Sequence, residues 1–249
     1  PPRSTLFPYT TLFRSNKGFR NDDGKIYKLF TFSRLFFYKK EINHDIINGE
    51  GSVRFYFSSP LDDTLVNNFV YGLISTKNLS IGNYKVATDF KVEKVSMIPE
   101  PEFSYNMKFK MLSPTVTSII GDHNGKNQIK FLNPFDNQTV PTLIKNLINK
   151  YYIVYQRPDE LSVEIIFDQD YIKRNDGIKN TSKLITIKEN KENQIQIKGF
   201  LCPLTIKANP AMQRIAFYCG IGERNSLGFG CLEIANWYSL IYYIALLKY

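Results

Sequence analysis

The stretch GIGERNSLGFGCLEI, Gly220 to Ile234, places four glycines, Gly220, Gly222, Gly228 and Gly230, around Glu223-Arg224-Asn225-Ser226. Glycine lets a backbone take positive φ and approach a ligand closely. Successive exposed N–H groups on such a loop can form a nest for phosphate, and Arg224 adds positive charge. A dinucleotide fingerprint needs G-x-G-x-x-G after a strand and opening a helix. Here the third glycine is displaced and the segment leads into a strand, which disfavours that reading. Two readings stay open on spacing alone: a loop that cradles phosphate, and a glycine-rich hairpin that merely turns the chain.

Other chemistry-bearing residues are sparse. Cys202, Cys219 and Cys231 cannot all pair, and none lies in a C-x-x-C or in a Cys/His cluster of zinc spacing. That usage fits a reducing, cytoplasmic compartment. The only histidines are His44, in EINHDII, and His123, in the turn GDHNGK. No His/Asp/Glu set with ligand spacing appears, so neither a metal nor a cofactor is expected. The formal charge of +9 points to a polyanionic partner, although a merely basic protein has the same composition. No segment is long enough to span a bilayer as a helix. The apolar tail WYSLIYYIALL, Trp237 to Leu247, reads as a docking helix or a sequence error and carries no functional weight.

Residues 1–15, PPRSTLFPYTTLFRS, resist placement in any fold, because Pro8 interrupts their apolar residues. The same proline breaks a secretory core and a transit helix. The peptide corresponds without a mismatch to a translated short-read sequencing adapter, so it is set aside as artefact. Native sequence is then expected from Asn16. Arg3 and Arg14 supply two of the positive charges and this segment has no acid, which leaves +7 on the rest.

The elements that would position the loop follow from periodicity. Ile26–Phe37 reads as a strand, and Ser52–Phe57 alternates with Val53, Phe55 and Phe57 on one face. Pro60–Ser75 is a helix, with Leu61, Leu65, Phe69 and Leu73 in a row, Ser59 as cap, and Asp62 and Asp63 complementing the dipole. Alternation returns over Leu79–Met97. Strand, strand, helix, strand is the second half of a β-α-β-β-α-β unit whose first strand and helix are absent. After the connector IPEP, Ile98 to Pro101, the series restarts. Strands are expected at Met107–Leu112, Gln128–Leu132, Leu161–Phe167, Leu184–Ile187, Ile195–Leu201 and Leu227–Ile234, with helices at Thr142–Tyr155 and Pro210–Tyr218. The expected organisation is α+β, with two tandem ferredoxin-like domains: an incomplete one over 16–100 and one carrying the glycine-rich loop over 101–235. A tail of unknown role occupies 236–249.

GIGERNSLGFG matches, without a gap, the G-x-G-x-x-x-S-x-G-x-G loop of CRISPR-associated repeat-processing endoribonucleases in the repeat-associated mysterious protein superfamily, and the chain resembles that family. The resemblance extends to KLFTFSRL at Lys28 to Leu35, to FYFSSPLDDTLVNNFVYGLI, and to MKFKMLSPTVTSI at Met107 to Ile119. It implies two tandem ferredoxin-like domains, prokaryotic antiviral defence, and metal-free cleavage of precursor CRISPR RNA within its repeats. A ribose 2′-hydroxyl attacks the adjacent phosphate in that reaction, leaving a 2′,3′-cyclic phosphate and a 5′-hydroxyl.

Such a reaction needs proton transfer and stabilisation of charge on phosphate, roles suited to histidine and to lysine or arginine. The resemblance assigns Lys28, which opens the KLFTFS strand, as electrostatic stabiliser. It places the family histidine at position 15, where this chain has Ser15, and neither His44 nor His123 matches the motif. The first strand and helix, with the acid/base they carry, are therefore expected to be missing, cleavage to be greatly reduced or absent, and exposed apolar sheet to favour aggregation. Expected RNA contacts are Gly220, Gly222, Arg224, Asn225, Ser226, Gly228 and Gly230 in the loop, with Lys17, Arg20, Arg34 and Arg54 meeting phosphates. The partner is CRISPR repeat RNA; a CRISPR effector complex and a homodimer stay open, and a membrane is not expected. The alternative function is a non-cleaving RNA-binding subunit of the same superfamily.

Overall fold

The computed structural model describes residues 19–20, 24, 26–43, 46–60, 63–76, 78–82, 87–123, 126–156, 161–187, 192, 194–235 and 243–248. Residues 1–18, including the segment set aside above, lie outside them.

In the first half, β1 (Phe19–Arg20) and β2 (Ile26–Tyr27) form a small ladder. They are followed by β3 (Thr31–Phe32), β4 (Phe36–Asn43), β5 (Ile46–Ser58), α1 (Asp63–Thr76), β6 (Asn78–Gly82) and β7 (Ala87–Ser96). The alternation read from SVRFYF holds: Val53, Phe55 and Phe57 are buried while Arg54 is exposed. Those side chains pack under α1, whose Val66, Phe69 and Leu73 complete the core with Phe30, Leu79 and Phe90. Phe57 stacks on Phe69 at 4.2 Å between ring centroids. Each buried phenylalanine contributes about 1.5–3 kcal/mol through removal of apolar surface from water.

The second half contains β8 (Asn106–Met111), β9 (Ser118–His123), β10 (Lys126–Phe131), α2 (Thr139–Tyr155) and β11 (Glu164–Phe167). Two short helices, α3 (Gln169–Arg174) and α4 (Ile178–Thr181), lead to β12 (Ser182–Ile187), β13 (Ile195–Phe200), β14 (Leu204–Lys207), α5 (Pro210–Cys219) and β15 (Leu232–Ile234). Strands β11-β14-β8-β15 form one antiparallel sheet in that order. Taken along the chain, β8, α2, β11, β14, α5 and β15 are the six elements of a ferredoxin-like unit. The third strand of that unit differs from expectation. Ile195–Phe200 pairs with β12 in a separate hairpin, and the sheet position belongs to the four-residue β14 just after Pro203.

The tail is a strand, not a docking helix. β16 (Tyr243–Lys248) lies between β5 and β7 and is antiparallel to both. In β-α-β-β-α-β order the first strand belongs between the third and fourth, antiparallel to each, so β16 holds the first-strand position of the N-terminal sheet. The apolar sheet expected to be left open at this slot is paired through its centre by the chain's other end.

Ile26–Phe37 also departs from the single strand expected. Leu29, Phe30 and Thr31 are buried in succession, which an alternating strand with one wet face cannot provide. Tyr27 and Leu29 enter the C-terminal core while Phe30 enters the N-terminal one. The Phe30 amide donates to the Lys28 carbonyl at 2.8 Å, a tight turn that breaks the strand between β2 and β3.

Deleting residues 236–249 should unpair the facing edges of β5 and β7. The expected result is an unfolding midpoint lower by more than about 5 °C, with concentration-dependent self-association, read by thermal unfolding and light scattering.

Candidate nucleic-acid interface

The segment 27–33 and the glycine-rich loop, far apart in sequence, pack directly on each other. Thr31, fully buried, donates its hydroxyl to the Phe229 carbonyl at 3.0 Å. Ser59 Oγ donates to the Leu29 carbonyl at 2.7 Å, and Ser58 Oγ to the Tyr218 carbonyl at 3.2 Å. The Ser33 amide donates to the Tyr56 carbonyl, and Ser33 Oγ accepts from the Tyr56 amide. Thr31 thus ties KLFTFS to the loop and Ser58 ties FYFSS to α5, while Ser33 and Ser59 hold the two N-terminal segments to each other.

Lys28 projects from this seam between two buried anchors. Tyr27 and Leu29 are 6% and 2% exposed, and the Tyr27 hydroxyl accepts from Asn149 Nδ2 on α2. Lys28 therefore lines a cavity of about 470 Å³ together with Asn146 and Lys150 of α2 and the loop residues Gly222 to Leu227. Burial pushes the Lys28 ammonium below the usual lysine range.

The loop is built from within. Its α2 support places Leu143, Asn146, Leu147, Lys150 and Tyr151 on one buried stripe, the i, i+3, i+4, i+7, i+8 pattern of a core-facing helix. Two of those positions are polar. Lys150, 3% exposed, donates to the carbonyls of Gly220 and Gly222 and to Asn225 Oδ1 at 2.7, 2.9 and 2.8 Å. Asn225 Nδ2 donates in turn to the carbonyls of Ile221 and Phe229 at 3.1 and 3.0 Å. Lys150 was not among the sequence candidates, yet a lysine inside an apolar helical stripe is a readable sign of a buried partner.

The nest of free N–H groups is smaller than the glycine spacing implied. The amides of Ile221, Glu223, Leu227, Gly228 and Gly230 donate to carbonyls of Gly230, Val116, Arg224, Asn225 and Pro114 respectively. Gly220, Gly222 and Gly230 are buried, and Asn225, expected among the RNA contacts, has its amide turned inward as described. Arg224 and Ser226 remain half-buried on the cavity wall. Arg224 sits at φ 59°, and its buried Nε has no hydrogen-bond partner among the described residues. Glu223 is the acid in the cavity lining, and Ser118 Oγ donates to its Oε2 at 2.9 Å.

The remaining sequence candidates lie elsewhere. Arg20 is exposed on β1, with Nη1 donating to the Gly24 carbonyl at 3.3 Å. Arg34 lies over the Phe36 ring at 5.2 Å, and Arg54 is exposed on β5 opposite Phe36 in the ladder. None of these three is among the cavity's lining residues. Lys17, Ser15 and His44 fall outside the described residues, and His123 ends β9. The three cysteines are free and buried, and burial pushes the Cys202 and Cys219 thiols up to about 12, which removes them as nucleophiles near neutral pH. No group of three or more His, Cys, Asp or Glu side chains able to hold a metal ion occurs among the described residues. No helix among them is long and apolar enough to cross a membrane.

On the outer face of the C-terminal sheet, Lys108 pairs with Asp168 at 3.2 Å and Lys207 with Glu164 at 2.9 Å, and Lys110 stands opposite Glu233.

Gly228 tests the packing of loop on strand. At φ 86° it has left-handed backbone, and an added Cβ would stand 2.5 Å from the Phe32 ring. Gly228→Ala is expected to destabilise the protein by about 1–3 kcal/mol in urea unfolding.

Comparison with known proteins places these features in a family. The family described as CRISPR associated protein Cas6, C-terminal, matches residues 98–234, and CRISPR-associated protein Cas6, N-terminal, matches residues 9–96, a match that begins inside the segment set aside from the sequence. The chain is 28% identical over 206 residues to CRISPR-associated endoribonuclease Cas6 1 of Methanocaldococcus jannaschii, covering 82% of this chain and 72% of that one. A Cas6-related structure from Pyrococcus furiosus superposes with a TM-score of 0.68 at 21% identity, over 91% of this chain and 82% of that chain. A second structure, described as CRISPR associated protein Cas6, also gives 0.68, at 22% identity over 94% and 95%. Both share the tandem ferredoxin-like fold. With its C-terminal unit, its loop and more than half its length matched by one family, the chain belongs to the CRISPR-associated Cas6 family.

Proposed function

We propose that this chain binds CRISPR repeat RNA at the cavity between Lys28 and the glycine-rich loop, and that cleavage of the repeat in this family takes place there. The observation that carries the reading is the meeting of Lys28, Arg224 and Ser226, from opposite ends of the sequence, around one cavity. Phosphate contacts from Lys28 and Arg224 would hold the RNA backbone, and the Ser226 hydroxyl would bond phosphate or ribose.

The chemistry proposed is attack of a 2′-hydroxyl on the adjacent phosphate without a metal ion, giving a 2′,3′-cyclic phosphate and a 5′-hydroxyl. Lys28 would stabilise the charge that builds on the phosphate oxygens. Its lowered pKa also makes it a better proton donor than a free lysine. No histidine is among the described residues of the lining. The resemblance puts the family histidine at position 15, where this chain has Ser15, and that supports, for this chain, the second reading of an RNA binder that cuts slowly or not at all.

Repeat RNA with a 2′-deoxy substitution at the scissile position separates binding from cleavage. Binding is expected to weaken steeply with salt, and Lys28→Ala to lower the magnitude of the salt slope by about 0.7. Because the Lys28 ammonium titrates below an ordinary lysine, its contribution should be present at neutral pH and lost as pH rises, before pH 10.5 is reached. Lys28→Ala should flatten that alkaline limb. With all-ribose repeat RNA in EDTA, rapid site-specific release of a cyclic-phosphate product would overturn the inactive reading, and salt-insensitive association would overturn the RNA-binding one.

A further inference from the structure

We propose that Lys150 is the positioning residue of the glycine-rich loop, acting through Asn225 to set the backbone against which RNA is received. Its functional consequence rests on the RNA-binding reading above; its structural consequence does not.

The three ammonium protons of Lys150 meet three acceptors: the Gly220 and Gly222 carbonyls and Asn225 Oδ1. Both glycines lie at φ 74°, in left-handed territory, and their carbonyls converge on one nitrogen. Asn225 extends the reach by tying the Ile221 and Phe229 carbonyls from the two limbs of the loop. Four carbonyl oxygens are thereby engaged inside the loop, where they cannot repel an approaching phosphate. Lys150 lines the same cavity as Arg224 and Ser226, but at 3% exposure its ammonium is turned into the loop rather than outward.

The loop and the lysine hold each other in place. A buried ammonium stripped of its acceptors is strongly destabilising, so any opening of the loop that withdraws Gly220 or Gly222 leaves Lys150 exposed to that cost. Conversely, removing the ammonium leaves two glycine carbonyls and Asn225 Oδ1 without the donor that orients them. A Cβ at Gly220 or Gly230 would first meet the backbone of the opposite limb, the Gly230 and Ile221 carbonyls respectively, and would also stand 2.8 Å from Asn225 Nδ2. Lys150 is thus a support for the loop, distinct from the phosphate-facing cations.

Lys150→Met, which keeps the stem and removes the donors, and Asn225→Ala test the inference by two measurements on the full chain. Amide hydrogen exchange in the free protein should show the Ile221, Glu223 and Gly228 amides exchanging about tenfold faster or more, with those of Phe109 and Phe200 in the core unchanged. Affinity for 2′-deoxy-blocked repeat RNA should fall about tenfold or more in each variant with the salt slope unchanged, and the double variant should be little worse than either single one. Loop amides that exchange at the wild-type rate in a folded variant would overturn the proposal. So would a salt slope lowered in magnitude by about 0.7, the mark of a direct phosphate contact. If Lys150→Met does not fold, Asn225→Ala decides alone. If the wild-type chain shows no salt-sensitive RNA binding, the functional reading fails while the exchange data still decide whether Lys150 positions the loop.

Discussion

One buried ammonium sets the constraint around which the putting together of this site turns. Lys150 lies in the apolar stripe of α2 at 3% exposure, and a charge so placed is tolerable only if its donors are met. Two carbonyls and an amide of the glycine-rich loop meet them. The demand is local, but its effects spread. The loop must present those carbonyls, which requires glycine at Gly220 and Gly222, and Asn225 must bridge the limbs. The returning limb then brings Phe229 to Thr31 and Gly228 to the Phe32 ring.

The second constraint is the seam. Residues 27–31 send Tyr27 and Leu29 into one core and Phe30 into the other, so this segment belongs to both ferredoxin-like units. Lys28 cannot follow its neighbours inward and emerges beside the loop. A cationic cavity thus arises where two hydrophobic cores, a helix and a loop meet. Its chemistry is carried by few side chains, while most of the residues around it hold those few in position.

Much of the architecture was legible in the sequence because it rests on periodicity. The stripe of Phe69 and Leu73 in α1 and the alternation of Val53, Phe55 and Phe57 in β5 are burial patterns that the period of each element imposes. The loop was legible through its glycines. What escaped were features with no local signature: the four-residue β14, chosen for the sheet over the longer β13, and β16, whose apolar run resembles a helix as readily as a strand. Short apolar segments carry little period, and their placement depends on which sheet edge is vacant.

By itself, the sequence determined the two-unit α+β order and the glycine-rich loop, while the family resemblance is what tied that loop to KLFTFS. These follow from side-chain periodicity, from the conformational freedom of glycine and from motif spacing, all properties of neighbouring residues. Tertiary structure alone decided that Asn225 faces inward to Lys150, that the Ile221, Glu223 and Gly230 amides are engaged, that Arg34 and Arg54 stand apart from the cavity, and that β16 fills the centre of the N-terminal sheet. The pairing of Asn225 with Lys150 and of β16 with β5 and β7 depends on partners distant in the chain, and a donor's partner is set by proximity in space rather than by separation in sequence.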